Sequence, residues 1–298
     1  MIKFDKNEVF LLPADDFGRG EMIGYIEKKH GGLRSQQIAR SILSRPIEAY
    51  SVGEGKKLIA ILAAHHSLES ITSNIAYLLL DTLLSFSRSD MVKGVNCKLI
   101  LAKYRFIIIA CVNPDGVEMR FHGVSDSPLK DRQMRMSGGD FSGWQANARG
   151  VDLNHNYDFR FRDYKKLEGE LGISAGAGLF SGEYPESEPE TKGVANFIRA
   201  LGPMAVVSLH SQGEEIYAYP NNKKTSRCLS RLEQLTGYRG TRALGTAAYG
   251  GLCDYTGVIG IPSFTYEVGK GKNPLSESSV FAIFDRIAES IILLPTLL

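Results

Sequence analysis

The sequence predicts an α/β protein built on a mostly parallel or mixed twisted sheet with helices on both faces. Three observations carry that expectation. Continuous apolar runs at residues 58–64, 106–112 and 205–209 read as strands buried on both faces, not as the alternating pattern of a half-exposed sheet. Longer stretches with helical spacing, such as residues 69–86, separate them, and strands alternating with helices favour parallel connections. Turn and capping residues punctuate the boundaries, as at Asn113-Pro114-Asp115-Gly116.

The elements follow in order. Residues 1–50 are weakly patterned and are expected to form a lead-in with a helix near residues 36–43. Residues 58–64 form the first buried strand and residues 69–86 an amphipathic helix. The strand at 106–112 is stopped by the 113–116 turn sequence. Ser187-Glu188-Pro189-Glu190 reads as a helix start, with a capping Ser, an early Pro and acids at the positive end, and the helix should run to about Leu201. Strands are expected at 205–209, at 215–219 (ended by Pro220) and at 262–268, before a closing helix at 276–294. No internal repeat or low-complexity linker divides the chain, so a single domain over 1–298 is expected, with its core at 55–293.

Composition excludes several classes. Among 298 residues, 43% are hydrophobic and 23% charged, which is ordinary for a globular chain and argues against disorder. The formal net charge is +2, and no basic run is interleaved with aromatics, so a nucleic-acid partner is not expected. Cys97, Cys111, Cys228 and Cys253 form no CxxC pair, which fits reduced thiols better than a zinc ribbon or a disulfide framework. The first ten residues lack the apolar core of a signal peptide. No apolar run approaches the roughly 18 residues of a membrane span. A cytoplasmic protein is the expectation.

In such folds ligands gather at the carboxyl ends of strands, and two of those ends carry metal-type side chains. The first gives His65-His66-Ser67-Leu68-Glu69 and the strand at 205–209 leads into His210. A His and a Glu three apart can meet where a strand turns into a helix. Two imidazoles and one carboxylate leave a fourth position on zinc for water, the usual make-up of a hydrolytic site, and zinc brings the pKa of such a water to about 7. His-x-x-Glu alone also occurs by chance, and a single His at a strand end is usually structural. His65 should leave the strand on the face opposite His66, for packing or support. No HExxH is present. Residues 144–157 group Arg149, Asp152, Asn154 and His155 in a segment that otherwise reads as a polar loop. Glu267 sits in the strand at 262–268, where burial is costly unless it is paired or functional.

His66-Ser67-Leu68-Glu69, Asn113-Pro114-Asp115-Gly116, Arg149-Gly150-Val151-Asp152-Leu153-Asn154, Ser208-Leu209-His210-Ser211-Gln212-Gly213 and Phe264-Thr265-Tyr266-Glu267 occur in the order found in zinc carboxypeptidases. Over residues 55–293 the chain resembles that family. Its nearest likeness is to bacterial γ-D-glutamyl-diaminopimelate peptidases, through His210-Ser211-Gln212-Gly213-Glu214-Glu215-Ile216-Tyr217, Tyr249-Gly250-Gly251-Leu252-Cys253-Asp254-Tyr255 and Asn273-Pro274-Leu275.

The resemblance implies one zinc per chain, held by His66, Glu69 and His210. It implies Glu267 as the base that takes a proton from water and returns it to the leaving amine, and Asp152 as the carboxylate orienting the first histidine. Arg149, with Arg135 as the alternative, would stabilise the carbonyl oxygen as it gains charge. Asn154 would help bind a substrate carboxylate, and Tyr249 is a candidate for a tyrosine over the substrate. His155 stands where ordinary carboxypeptidases place an arginine that grips a terminal carboxylate. The implied substrate is therefore a muropeptide cut between γ-D-glutamate and diaminopimelate. The alternatives are a conventional carboxypeptidase or acyl-amino-acid hydrolase on the same scaffold, or a non-catalytic muropeptide-binding relative.

Overall fold

A computed structural model describes residues 6–219 and 223–298. The chain enters through α1 (Asp16–His30), capped by Asp15, which accepts the Gly18 N–H at 2.8 Å. It continues through β1 (Ser35–Arg40), β2 (Pro46–Val52), β3 (Lys57–Ala63) and α2 (Ile71–Ser85). A short ribbon, β4 (Met91–Val92) and β5 (Val95–Asn96), precedes α3 (Cys97–Lys103), β6 (Tyr104–Ile109), α4 (Pro114–His122), α5 (Lys130–Ser137) and α6 (Phe161–Leu171). Then come α7 (Pro189–Leu201), β7 (Ala205–His210), β8 (Glu215–Ala218), α8 (Lys223–Thr236), β9 (Arg239–Thr241), α9 (Leu252–Val258), β10 (Ser263–Glu267) and α10 (Val280–Leu297).

Eight strands form one mixed sheet in the order β1-β2-β6-β3-β7-β10-β8-β9. The central four, β6, β3, β7 and β10, are mutually parallel. β2 runs antiparallel to both β1 and β6, and β8 runs antiparallel to β10. The apolar runs are continuous because both faces are covered. Ile59, Ile61 and Ala63 of β3 pack into the core under α1, α2 and α10, whereas Ala60 and Leu62 pack with Val194, Ala195 and Ile198 of α7. Adjacent residues thus bury on opposite sides, each contributing on the order of 1.5–3 kcal/mol when a large apolar side chain leaves water. Among the described residues, no helix is long and apolar enough to cross a membrane.

Three expectations are corrected. Residues 36–43 do not form a helix: β1 occupies Ser35–Arg40 and pairs with β2, for instance Gln36 with Ala49. Its mainly polar, largely exposed sequence, Ser-Gln-Gln-Ile-Ala-Arg, carries no strand signal, and pairing with β2 decides the conformation. Across it lies Gly193 of α7, where an added Cβ would fall 2.3 Å from that of Ala39, so helix and strand meet without room for a side chain. The Asn113-Pro114-Asp115-Gly116 sequence starts α4 instead of making a turn: Asn113 Oδ1 accepts the Gly116 N–H at 3.0 Å, with Pro114 in the first turn. Residues 6–50 belong to the fold proper, since α1 packs on α2 and this segment supplies β1 and most of β2. The strand at 215–219 forms as β8 over Glu215–Ala218, while Pro220 lies outside the described residues.

Candidate metal centre and adjoining cavity

β3 ends at Ala63, and a 3-10 turn over Ser67–Glu69 follows with His66 still extended. That turn closes through Glu69 N–H to His66 O at 3.1 Å and folds the Glu69 carboxylate back over the imidazole. β7, the parallel neighbour of β3, delivers His210 to the same edge. The Nδ1 atoms of His66 and His210 lie 3.0 and 2.9 Å from the two Glu69 oxygens, and the ligand atoms of all three residues fall within 4.8 Å of one another. This is the one such three-residue group among the described residues.

Support for the cluster comes from loops. His66 Nε2 lies 2.9 Å from Asp152 Oδ1, which fixes the ring with Nδ1 facing Glu69. Asp152 is itself held by Gln145 Nε2 at 2.9 Å and by the N–H groups of Asn154 and Leu179 at 3.1 Å each. His65 is fully buried, with Nε2 3.0 Å from Tyr157 Oη and its ring stacked 5.4 Å from that of His210. Two imidazole nitrogens and a carboxylate, with the far nitrogen of one ring locked on an aspartate, are the donor set zinc takes, so the residues fit that ion.

Electrostatics separate the carboxylates. Burial alone would raise Glu69, but His66 and His210 outweigh it and bring the group down to about 2. Burial likewise opposes ionised Asp152, yet His66 and His155 hold it well below the usual range. Burial disfavours a charged His66, but Asp152 and Glu69 raise its pKa well above that of free histidine. Glu267, at the end of β10, pairs in register with His210 across the parallel ladder. Here burial prevails over nearby His210 and, with Glu69 adding to it, pushes the carboxyl up to about 7.

The residues expected to touch substrate divide. Asn154 lines a cavity of about 330 Å³ that also contains Glu267, and its Oδ1 accepts the Leu252 N–H at 3.2 Å. His155 is buried and faces elsewhere: its ring stacks on Tyr164 at 4.3 Å and its Nδ1 lies 2.8 Å from the Tyr249 carbonyl. Burial lowers its pKa, so it is a neutral N–H donor to that loop. Tyr249 lies 4.4 Å beneath the Arg160 guanidinium. Arg149 is exposed and faces Glu188 at 3.7 Å, and Arg135 is exposed on α5; neither lines the cavity. Arg120 of α4 reaches the ligand turn, donating to Ser67 O at 3.1 Å and to Ser70 Oγ at 3.2 Å. It carries no sequence signal of its own, since it lies in the last turn of α4, beyond the 113–116 segment that read as a turn. Gln145 and Tyr157 were missed as well, having no signal beyond their place in a polar loop.

Over residues 21–275 the chain matches the zinc carboxypeptidase family. It is 29% identical over 259 residues to gamma-D-glutamyl-L-diamino acid endopeptidase 1 of Lysinibacillus sphaericus, covering 85% of this chain but only 64% of that protein. With murein peptide amidase A of Escherichia coli (strain K12) it shares 32% identity over 111 residues, 36% of each chain. Its fold resembles that of thrombin activatable fibrinolysis inhibitor with a TM-score of 0.75 and 19% identity, over 98% of this chain and 75% of that one.

Proposed function

The chain belongs to the zinc carboxypeptidase family, and from that premise we propose that it is a zinc-dependent peptidase that hydrolyses the γ-D-glutamyl-diaminopimelate bond of muropeptides. The observation that carries the reading is the convergence of His66, Glu69 and His210 with a half-buried carboxylate, Glu267, that has no hydrogen-bond partner among the described residues and pairs across the ladder from His210. The names of the Lysinibacillus and Escherichia relatives, one acting on γ-D-glutamyl-diamino-acid bonds and one on murein peptides, support the choice of substrate.

One zinc ion would be held by His66 Nδ1, Glu69 and His210 Nδ1; when bound, zinc supplies a Lewis acid that polarises a carbonyl and makes water acidic. Asp152 keeps the His66 ring in the tautomer and orientation that ligation needs. Glu267, poised near 7, removes the proton of the attacking water at neutral pH and delivers it to the leaving amine. Asn154 lines the cavity with Glu267; with its Oδ1 accepting the Leu252 N–H, its amide N–H groups would be the donors to a substrate oxygen there. Asn154, His155, Arg149, Arg135 and Tyr249 remain assigned by resemblance, and the geometry supports a direct substrate contact for Asn154 among them. The catalytic unit is one domain spanning the chain.

The test is mass spectrometry of products from L-Ala-γ-D-Glu-meso-diaminopimelate beside blocked L-dipeptides. Release of diaminopimelate with a far higher kcat/KM than for the dipeptides is expected. Equal or faster cleavage of the dipeptides would overturn the cell-wall assignment and leave the hydrolytic centre standing.

A further inference from the structure

The cavity behind Glu267 carries both signs of charge. β10 points Thr265 and Glu267 to the same face, so the cavity runs from Glu267 back along the strand, with Tyr217 of β8 opposite Thr265. Its rim and walls bring in Arg160, Arg242 and Asp254. Asp254, on α9, is partly buried and has no hydrogen-bond donor or ion-pair partner among the described residues. Burial pushes its carboxyl up to about 6 despite the opposing pull of Arg160. Arg242 is exposed on the loop after β9 and likewise has no anionic partner among the described residues. Arg160 is fixed in place: its Nε lies 3.2 Å from Asp163, an Nη lies 3.5 Å from Tyr249 Oη, and the guanidinium covers the Tyr249 ring. Other guanidinium donors are left over.

A pocket with an unmet carboxylate and an unmet guanidinium, half-shielded by tyrosines, is poorly matched to an apolar side chain and only half matched to a lysine. We propose that this cavity reads a zwitterion at the end of a substrate side chain, Asp254 taking its ammonium and Arg242, beside Arg160, its carboxylate. The inference rests on the muropeptide reading of the same site, because diaminopimelate is the residue of that substrate whose side chain ends in both groups. Arg242 and Asp254 are then the specificity-determining residues, and they explain how the site holds a carboxylate although His155 is turned away. Each charged hydrogen bond to a substrate group is worth roughly 10- to 100-fold in affinity.

The experiment reads binding apart from turnover. Three tripeptides, L-Ala-γ-D-Glu-X with X as meso-diaminopimelate, L-lysine or L-2-aminopimelate, are titrated calorimetrically into the zinc-loaded Glu267→Gln protein, and wild-type cleavage is followed in parallel. The diaminopimelate peptide should bind at least about tenfold tighter than either of the others. Arg242→Gln should erase the preference over lysine, and Asp254→Asn the preference over aminopimelate. Cleavage of the γ-D-glutamyl bond without any binding preference, or variants that weaken all three peptides alike, would overturn the pocket assignment alone. A preference that both variants erase, in a wild type that leaves the γ-D-glutamyl bond intact, would instead overturn the activity and keep the pocket. Neither preference nor cleavage would remove both.

Discussion

Glu69 is buried and Glu267 half-buried, and their neighbours drive them apart: Glu69 faces two imidazole nitrogens at 3.0 and 2.9 Å, while Glu267 has no donor among the described residues. The first is built to remain an anion beside a cation, the second to exchange a proton near pH 7. Glu267→Gln should therefore keep wild-type zinc content by elemental analysis while kcat falls roughly 10²–10⁴-fold; a variant that kept most of its activity would require another base. Glu69→Ala and His210→Ala should each lose metal, and retention of metal by both would disprove the ligand set. His155 supplies the third case. It stands where ordinary carboxypeptidases place an anion-gripping arginine, but its nitrogen is spent on the Tyr249 carbonyl and its face on Tyr164. Next to it Gly250 has φ +71, and a Cβ there would meet the His155 carbonyl oxygen at 2.4 Å, so the loop is strapped to this segment. His155→Arg should consequently lower stability by about 1–3 kcal/mol in a denaturant titration without improving cleavage of L-dipeptides. Faster dipeptide cleavage at unchanged stability would restore the original reading.

At the scale of elements, the start of α7 holds a charge problem away from the metal centre. Glu190 is fully buried there, accepting the Ile42 N–H at 3.2 Å, and burial, with Asp115 and Glu188 nearby, pushes its carboxyl up to about 8. A raised folded-state pKa means that its contribution to stability is complete below the unfolded value of about 4.3 and is lost as pH rises through 8. Glu190→Gln cannot ionise, so its Tm relative to wild type should climb between pH 5 and about pH 8 and level off above that. A difference in Tm independent of pH would show that Glu190 is not the group responsible. The helix start itself was legible, through Pro189 and the acids around it, although the N-cap position is Glu188, without a side-chain capping bond, and not Ser187. The first strand was not legible. β1 is polar and lies on the edge of the sheet, and only β2 and the small residue Gly193 facing it make it a strand.

For the whole molecule, the site sits on one rim of a sheet whose two faces are separately packed cores. His66 and His210 are carried by β3 and β7, and Glu267 by β10, three adjacent parallel strands in the middle of that sheet. Cores on both faces make the scaffold independent of the ion, so removal of metal with a chelator should abolish turnover while far-UV circular dichroism is retained and Tm falls by the binding free energy alone. Collapse of the secondary structure on chelation would mean that the metal is needed for folding.

The sequence by itself determined the class of fold, because apolar runs bounded by turn residues specify doubly buried strands through local chemistry. It also set His66, Glu69, His210 and Glu267 within a few residues of strand ends, and only the resemblance to zinc carboxypeptidases gave them the roles of ligands and base. What the tertiary structure decided was every relation between segments distant in the chain: Asp152 held by Gln145 and Leu179, His155 spent on the Tyr249 loop, Arg149 turned toward Glu188, and Arg242 and Asp254 gathered behind Glu267. These depend on which loops pack together and which polar atoms are left to satisfy one another. Burial and partnering are properties of the assembled sheet and loops, and no spacing along the chain encodes them.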